Sequence, residues 1–204
     1  MRPAVRFSAA TMAGRIAVGY ALLASLAAAL ALALREGVPW VYSEPWLALD
    51  PTVALAASAG LGLALSLMVV LATRLTVSRC AWAQRLHLEL RPIAYGLTAW
   101  QIVLIAGLSS LGEELLFRGL LQPWIGLLPQ AVLFGIAHQL PGASRWVWVC
   151  WAMMVGLACG AIFAATGSLL GALIAHAIIN AVNLAYLRNH DPLAQANGPQ
   201  PDRA

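Results

Sequence analysis

Long apolar runs set apart by short polar stretches dominate this chain: residues 16–34, 53–72, 93–121, 146–165 and 169–187, with a shorter run at 130–140. A helix needs roughly 20 apolar residues to cross a bilayer, and these runs are continuous rather than alternating, so they predict packed membrane helices and not a closed barrel. The expected fold class is all-α, a polytopic membrane protein of about six transmembrane helices. Pro123 and Pro129 punctuate the turn into the short run, Pro141-Gly142 ends it, and Thr166-Gly167-Ser168 separates the last two helices. The expected organisation is an N-terminal two-helix membrane region over 1–92, a core over 93–187 and a polar C-terminal tail over 188–204.

The composition agrees with this pattern. Of the 204 residues 61% are hydrophobic and 10% charged, and the mean hydropathy is +0.80, whereas soluble domains carry about 25% charged residues. Arg2, Arg6 and Arg15 precede the first run as they would in a signal peptide, yet that run is longer than a usual signal core, so a retained first helix is expected. Cys80, Cys150 and Cys159 lack the paired spacing of a zinc knuckle or disulfide framework and read as packing residues.

Charge then orients the elements. All 12 basic residues are arginine. Six helices with both termini cytoplasmic place Arg2, Arg6, Arg15, Arg74, Arg79, Arg85, Arg91, Arg145, Arg188 and Arg203 inside, leaving Arg35 outside and Arg118 within the membrane. The stretch 35–51, with Glu36, Glu44, Asp50, Trp40, Tyr42 and Trp46, then forms the outer face. Residues 119–140 also permit a re-entrant turn, which would reverse every later helix. The net charge of +4 is a topology signal rather than a nucleic-acid patch, so the bilayer is an expected partner and nucleic acid is not. Abundant alanine and arginine without lysine fit GC-rich bacterial coding, and a bacterial inner membrane is the expected location.

Against this background the sequence Leu111-Gly-Glu-Glu-Leu-Leu-Phe-Arg-Gly119 stands out. An ionisable group in a membrane helix costs about 2.5–3.5 kcal/mol on insertion scales. At 100° per residue Glu114 and Arg118 lie about 40° apart and should pair, while Glu113, about 140° from Arg118, points elsewhere and is left as a base. A buried structural ion network would explain these three residues equally well. Two further apolar runs change the balance. His176, Asn180 and Asn183 stand at i, i+4 and i+7 on one stripe of a helix, and Phe134 stands four residues before His138, where its ring can flank the imidazole and limit water. His87 and His190 have no comparable setting and read as solvated. Gly156 and Gly160 form a GxxxG pair, expected to serve packing inside the fold rather than a dimer interface.

Glu113-Glu114-Leu-Leu-Phe-Arg118, Phe134-Gly-Ile-Ala-His138 and His176-Ala-Ile-Ile-Asn180 resemble, in order, the EExxxR, FxxxH and HxxxN motifs of the CAAX protease and bacteriocin-processing (CPBP) family of intramembrane proteases. The resemblance implies an endopeptidase that cuts near the C-terminus of a membrane-anchored or lipid-modified protein, so a membrane protein or lipopeptide is the expected substrate. It implies that Glu113 and His138 activate water, that His176 and Asn180 stabilise the oxyanion, and that Glu114, Arg118, Phe134 and Asn183 support them. No cofactor is favoured. The alternative is zinc held by Glu113, His138 and His176, a known type of catalytic ligand set, though the chain lacks an HExxH pair. A non-catalytic immunity or scaffold protein and a small transporter are further alternatives. The intact motif residues count against the first, and the lack of an inverted repeat counts against the second.

Overall fold

The computed structural model describes residues 9–35 and 37–193, so Arg2, Arg6, Glu36, Arg203 and the tail from 194 onward lie outside the described residues. The described chain is all-α. Its helices are α1 (Ala9–Leu34), α2 (Pro51–Arg79), α3 (Ala81–Ala94), α4 (Ala99–Glu114), α5 (Gln122–Ile125), α6 (Leu127–Ala137), α7 (Arg145–Thr166) and α8 (Leu170–Asn189), with a π-helical segment, Leu115–Leu121, joining α4 to α5. Five helical stretches are long and apolar enough to cross a membrane, the third running unbroken from Ala99 to Ile125, and α6 is a shorter apolar helix. This is an integral membrane protein.

Local signals set the helix ends. Asp50 caps α2 by accepting from the Thr52 amide, with Pro51 at the first turn. Thr98 and Gln101 form a reciprocal capping box at the start of α4. Gly167, at φ 77°, closes α7 in the left-handed conformation that glycine adopts without strain. The loop between α1 and α2 then seals the α7–α8 turn: the Tyr42 amide donates to the Gly167 carbonyl and the Leu169 amide to the Trp40 carbonyl. Between α2 and α8 the backbones touch. A Cβ on Gly171 would overlap the carbonyl of Ser58, whose hydroxyl instead accepts from the Gly171 amide at 2.8 Å.

The direction of each helix follows from its end contacts. Ala13 of α1 clusters with Leu97, Ile102 and Leu184 at one face of the bundle. Arg35, beyond the other end of α1, donates to the Gly119 carbonyl in the π-helical segment, so α1 and α4 run parallel. α6 runs back against α7. Gln130 donates to the Gly156 carbonyl, Gly135 lies against Val149 and Met153, and the Ser144 amide donates to Glu89 of α3. At about 16 Å, α6 covers only half of a 30 Å hydrocarbon core, and the segment after it completes the return. Residues 119–140 therefore do not form a re-entrant hairpin, and the start of α1 and the end of α8 share one face.

One expectation is corrected, and one helix was not foreseen. The stretch 74–91, whose arginines were expected on the inner face, is helical almost throughout: α2 continues to Arg79 and α3 occupies 81–94. Ala83, His87, Leu90 and Ala94 are buried on one side of α3 while Arg85 is exposed on the other, which makes α3 an amphipathic helix at the bundle end. The expected boundary at 92/93 falls inside it. His87 is buried rather than solvated, at 3% exposure. Its Nε2 lies 3.0 Å from the His190 carbonyl, its ring meets Tyr186 edge-on, and burial pushes its imidazole below the ordinary histidine value. The sequence missed α3 because the hydrophobic period is helical but the segment is too short and too charged to read as a span.

Single cysteines introduced as Glu44→Cys, Ala143→Cys and Asn189→Cys in a cysteine-free background should separate by side under an impermeant thiol reagent. Ala143→Cys and Asn189→Cys should label from one face of the membrane and Glu44→Cys from the other. Labelling of Ala143→Cys together with Glu44→Cys would show that α6 does not return.

Candidate active site

The three motifs converge. Glu113 and Glu114 end α4, Arg118 lies in the π-helical segment, Phe134 and His138 come from the end of α6, and His176 and Asn180 from the middle of α8. Arg118 donates from Nη1 to Oε1 of Glu114 at 3.0 Å, with both side chains fully buried, and from Nη2 to the Gly156 carbonyl at 2.9 Å. Its guanidinium also sits 4.4 Å from the centre of the Phe134 ring. Gly156 and Gly160 thus serve packing within the fold. A Cβ on Gly156 would press into Phe134, and one on Gly160 into Gln122 and Gln130, two fully buried amides that donate to the Gly160 and Gly156 carbonyls.

The two glutamates divide as the helical spacing predicts. Glu114 faces Arg118, and the same Oε1 also accepts from Nδ1 of His176 at 2.7 Å, a bond that spacing alone does not reveal. Glu113 turns to the opposite side, where its Oε2 lies 3.5 Å from Nε2 of His138 and 3.7 Å from Nε2 of His176. Neither contact is a hydrogen bond, and Oε2 has no hydrogen-bond partner within the protein. Partners fix the ring orientations. Nδ1 of His138 donates to the Phe134 carbonyl at 2.7 Å, so in the neutral ring Nε2 presents its lone pair toward Glu113. Phe134 flanks that imidazole at 4.4 Å between ring centres and meets His176 edge-on at 5.8 Å.

Glu113 and the rings of Phe134, His138 and His176 border one cavity of about 700 Å³. Glu113, His138, His176, Asn180 and Asn183 line it, so the α8 stripe faces a common space. Asn180 donates one amide hydrogen to Ser109 at 3.0 Å, which leaves its second for another acceptor. The expected site residues are therefore brought together, with Glu114 and Arg118 behind the cavity wall. Three residues were not anticipated. Tyr20 of α1 lines the cavity together with Glu113; its signal was a polar aromatic in an Ala/Leu run. Ser109 lies one turn before Glu113, and Trp148 of α7 meets His138 edge-on.

The ring orientations suit metal ligation, because metal-binding histidines also direct their second nitrogen to a carboxylate or a backbone carbonyl. Among the described residues no group of three His, Cys, Asp or Glu is placed to hold a metal ion.

A polytopic helical membrane protein with a convergent Glu/His/Asn cluster inside its bundle is the class that the fold and the site define. Residues 95–182 match the family model for Type II CAAX prenyl endopeptidase Rce1-like proteins. The resemblance drawn from the three motifs holds, since all of them fall inside the match. An uncharacterized protein of Bacillus subtilis (strain 168), YpbD, is 32% identical over 87 residues, which is 43% of this chain and 46% of the relative. The chain thus spans less than half the length of that relative. No solved structure matches.

Glu114→Gln should destabilise the protein strongly while membrane insertion persists, because it leaves Arg118 buried beside a neutral amide. Breaking a buried pair in this way costs about 3–5 kcal/mol. Thermal unfolding in detergent measures it, and an unchanged midpoint would show that Arg118 does not depend on this carboxylate.

Proposed function

We propose that this protein is an intramembrane endopeptidase of the glutamic type, cutting near the C-terminus of a membrane-anchored or lipid-modified protein. The observation that carries the reading is the position of Glu113: a carboxylate oxygen without a protein donor, beside two imidazole nitrogens at 3.5 and 3.7 Å, on the wall of a cavity of about 700 Å³. Peptide hydrolysis needs a base for water and donors where negative charge develops. In this reading Glu113 takes a proton from a water that also donates to Nε2 of His138. The water oxygen attacks the carbonyl carbon, and Glu113 returns the proton to the leaving nitrogen.

The free amide hydrogen of Asn180 and Nε2 of His176 then face the oxygen that becomes negative. His176 already donates from Nδ1 to Glu114, so donation from Nε2 as well requires a second proton on the ring, with Glu114 facing the resulting charge. Glu114 and Arg118 thereby act through His176 and not on the substrate. The family match supports the reaction class, and the arginine distribution supports cytoplasmic termini in a bacterial inner membrane. The orientation of the two Nδ1 atoms favours a second reading in which Glu113, His138 and His176 hold zinc, which would supply Lewis acidity at the carbonyl.

Purified protein in lipid vesicles, given a membrane-anchored peptide carrying a cleavable C-terminal tail, should release the tail. Glu113→Gln should abolish turnover, and Asn180→Ala should lower kcat by about 10²–10³ with KM little changed. Activity that survives chelation and removal of the chelator supports the glutamic mechanism. Stoichiometric zinc, with activity lost on stripping and restored by zinc alone, would replace it, and wild-type turnover by Glu113→Gln would overturn both readings.

A further inference from the structure

We infer that Gly19 of α1 determines the size of the apolar group that the cavity accepts beside the scissile bond, an inference that rests on the proposed proteolysis. α1 lies outside the family-matched segment, yet Ile16, Gly19, Tyr20 and Leu23 of its face border the cavity. Ala13, Ala17, Ala24 and Ala27, on the adjacent face, are buried. α1 is thus held to the bundle by one stripe and presents the next to the cavity.

Gly19 is the one glycine among the residues lining this cavity, and neither packing nor backbone geometry explains it. A Cβ there would meet nothing within 4 Å, whereas one on Gly112, Gly156 or Gly171 would press on a neighbouring helix or ring. Its φ is not positive, and glycine is a poor helix former. What the missing side chain provides is room. That room opens on the cavity that Tyr20, the next residue, and Glu113 also line. Its surroundings are hydrocarbon, with Ile16 and Leu23 one turn to either side, and the lining includes no arginine or lysine. The ligand chemistry is therefore an uncharged hydrocarbon group, supplied either by a large apolar side chain of the substrate or by an alkyl chain that the substrate carries.

The test compares wild type, Gly19→Ala, Gly19→Leu and the control Gly14→Leu, which is equally uncrowded on the same helix but does not border the cavity. One peptide series varies the residue beside the cleaved bond through Ala, Leu and Phe, and a second carries S-alkyl cysteines of increasing chain length. In Gly19→Leu the preference for large over small groups, as a ratio of kcat/KM, should fall at least about tenfold, with a smaller fall in Gly19→Ala and none in Gly14→Leu. Thermal midpoints should be no lower than wild type. A fall confined to one series tells which source of hydrocarbon meets Gly19. Binding of the same peptides to Glu113→Gln protein with and without Gly19→Leu should show the same loss of preference, which separates this inference from failure of the proteolytic reading. An unchanged ratio in both assays, or an equal fall in Gly14→Leu, would overturn it.

Discussion

A guanidinium and two carboxylates inside a membrane protein must be paired, and the bond between Arg118 and Glu114 is where this fold meets that constraint. Both side chains are fully buried, so neither can take its compensation from water. The pair draws in its surroundings. The Gly156 carbonyl accepts the second arm of Arg118, Phe134 lies under the guanidinium, and His176 donates to the same carboxylate oxygen, which brings α7, α6 and α8 to the end of α4. Glu113, adjacent in sequence, is thereby turned away from the cation and into the cavity. The separation of a structural acid from a reactive one follows from helix geometry.

The π-helical turn belongs to the same arrangement. It spans Leu115–Leu121 and holds Arg118 at its centre, and wider turns of this kind often occur at functional sites. Gly119 lets Pro39 of the α1–α2 loop approach, and Arg35 donates to the Gly119 carbonyl. That loop, which ties down the α7–α8 turn, thus also braces the segment that carries the buried cation.

Much of this was legible in the sequence. The membrane class follows from the apolar runs, and the opposite directions of Glu113 and Glu114 follow from 100° per residue. The α8 stripe follows from spacing of four and three. Other features depended on pairings between distant elements. Nothing local to His176 shows that its partner is Glu114, because the bond joins residues 62 positions apart. The α3 helix was hidden because its charges break the apolar run, and the partners of Glu89 and Arg91, the Ser144 amide and Asp191, are distant in sequence. His87 read as solvated for the same reason, since its burial comes from Tyr186 and His190 at the end of α8. Tyr20 and Gly19 gained meaning only when α1 was placed against the cavity.

The central claim is that Glu113 and His138 act together on one water. A double-mutant cycle tests this most directly, with kcat/KM for tail release measured in wild type, Glu113→Asp, His138→Ala and the double variant. If the two groups form one catalytic unit, the double variant is about as slow as the slower single variant and the coupling energy is large. Losses that multiply would show that the two residues act independently and would contradict the account.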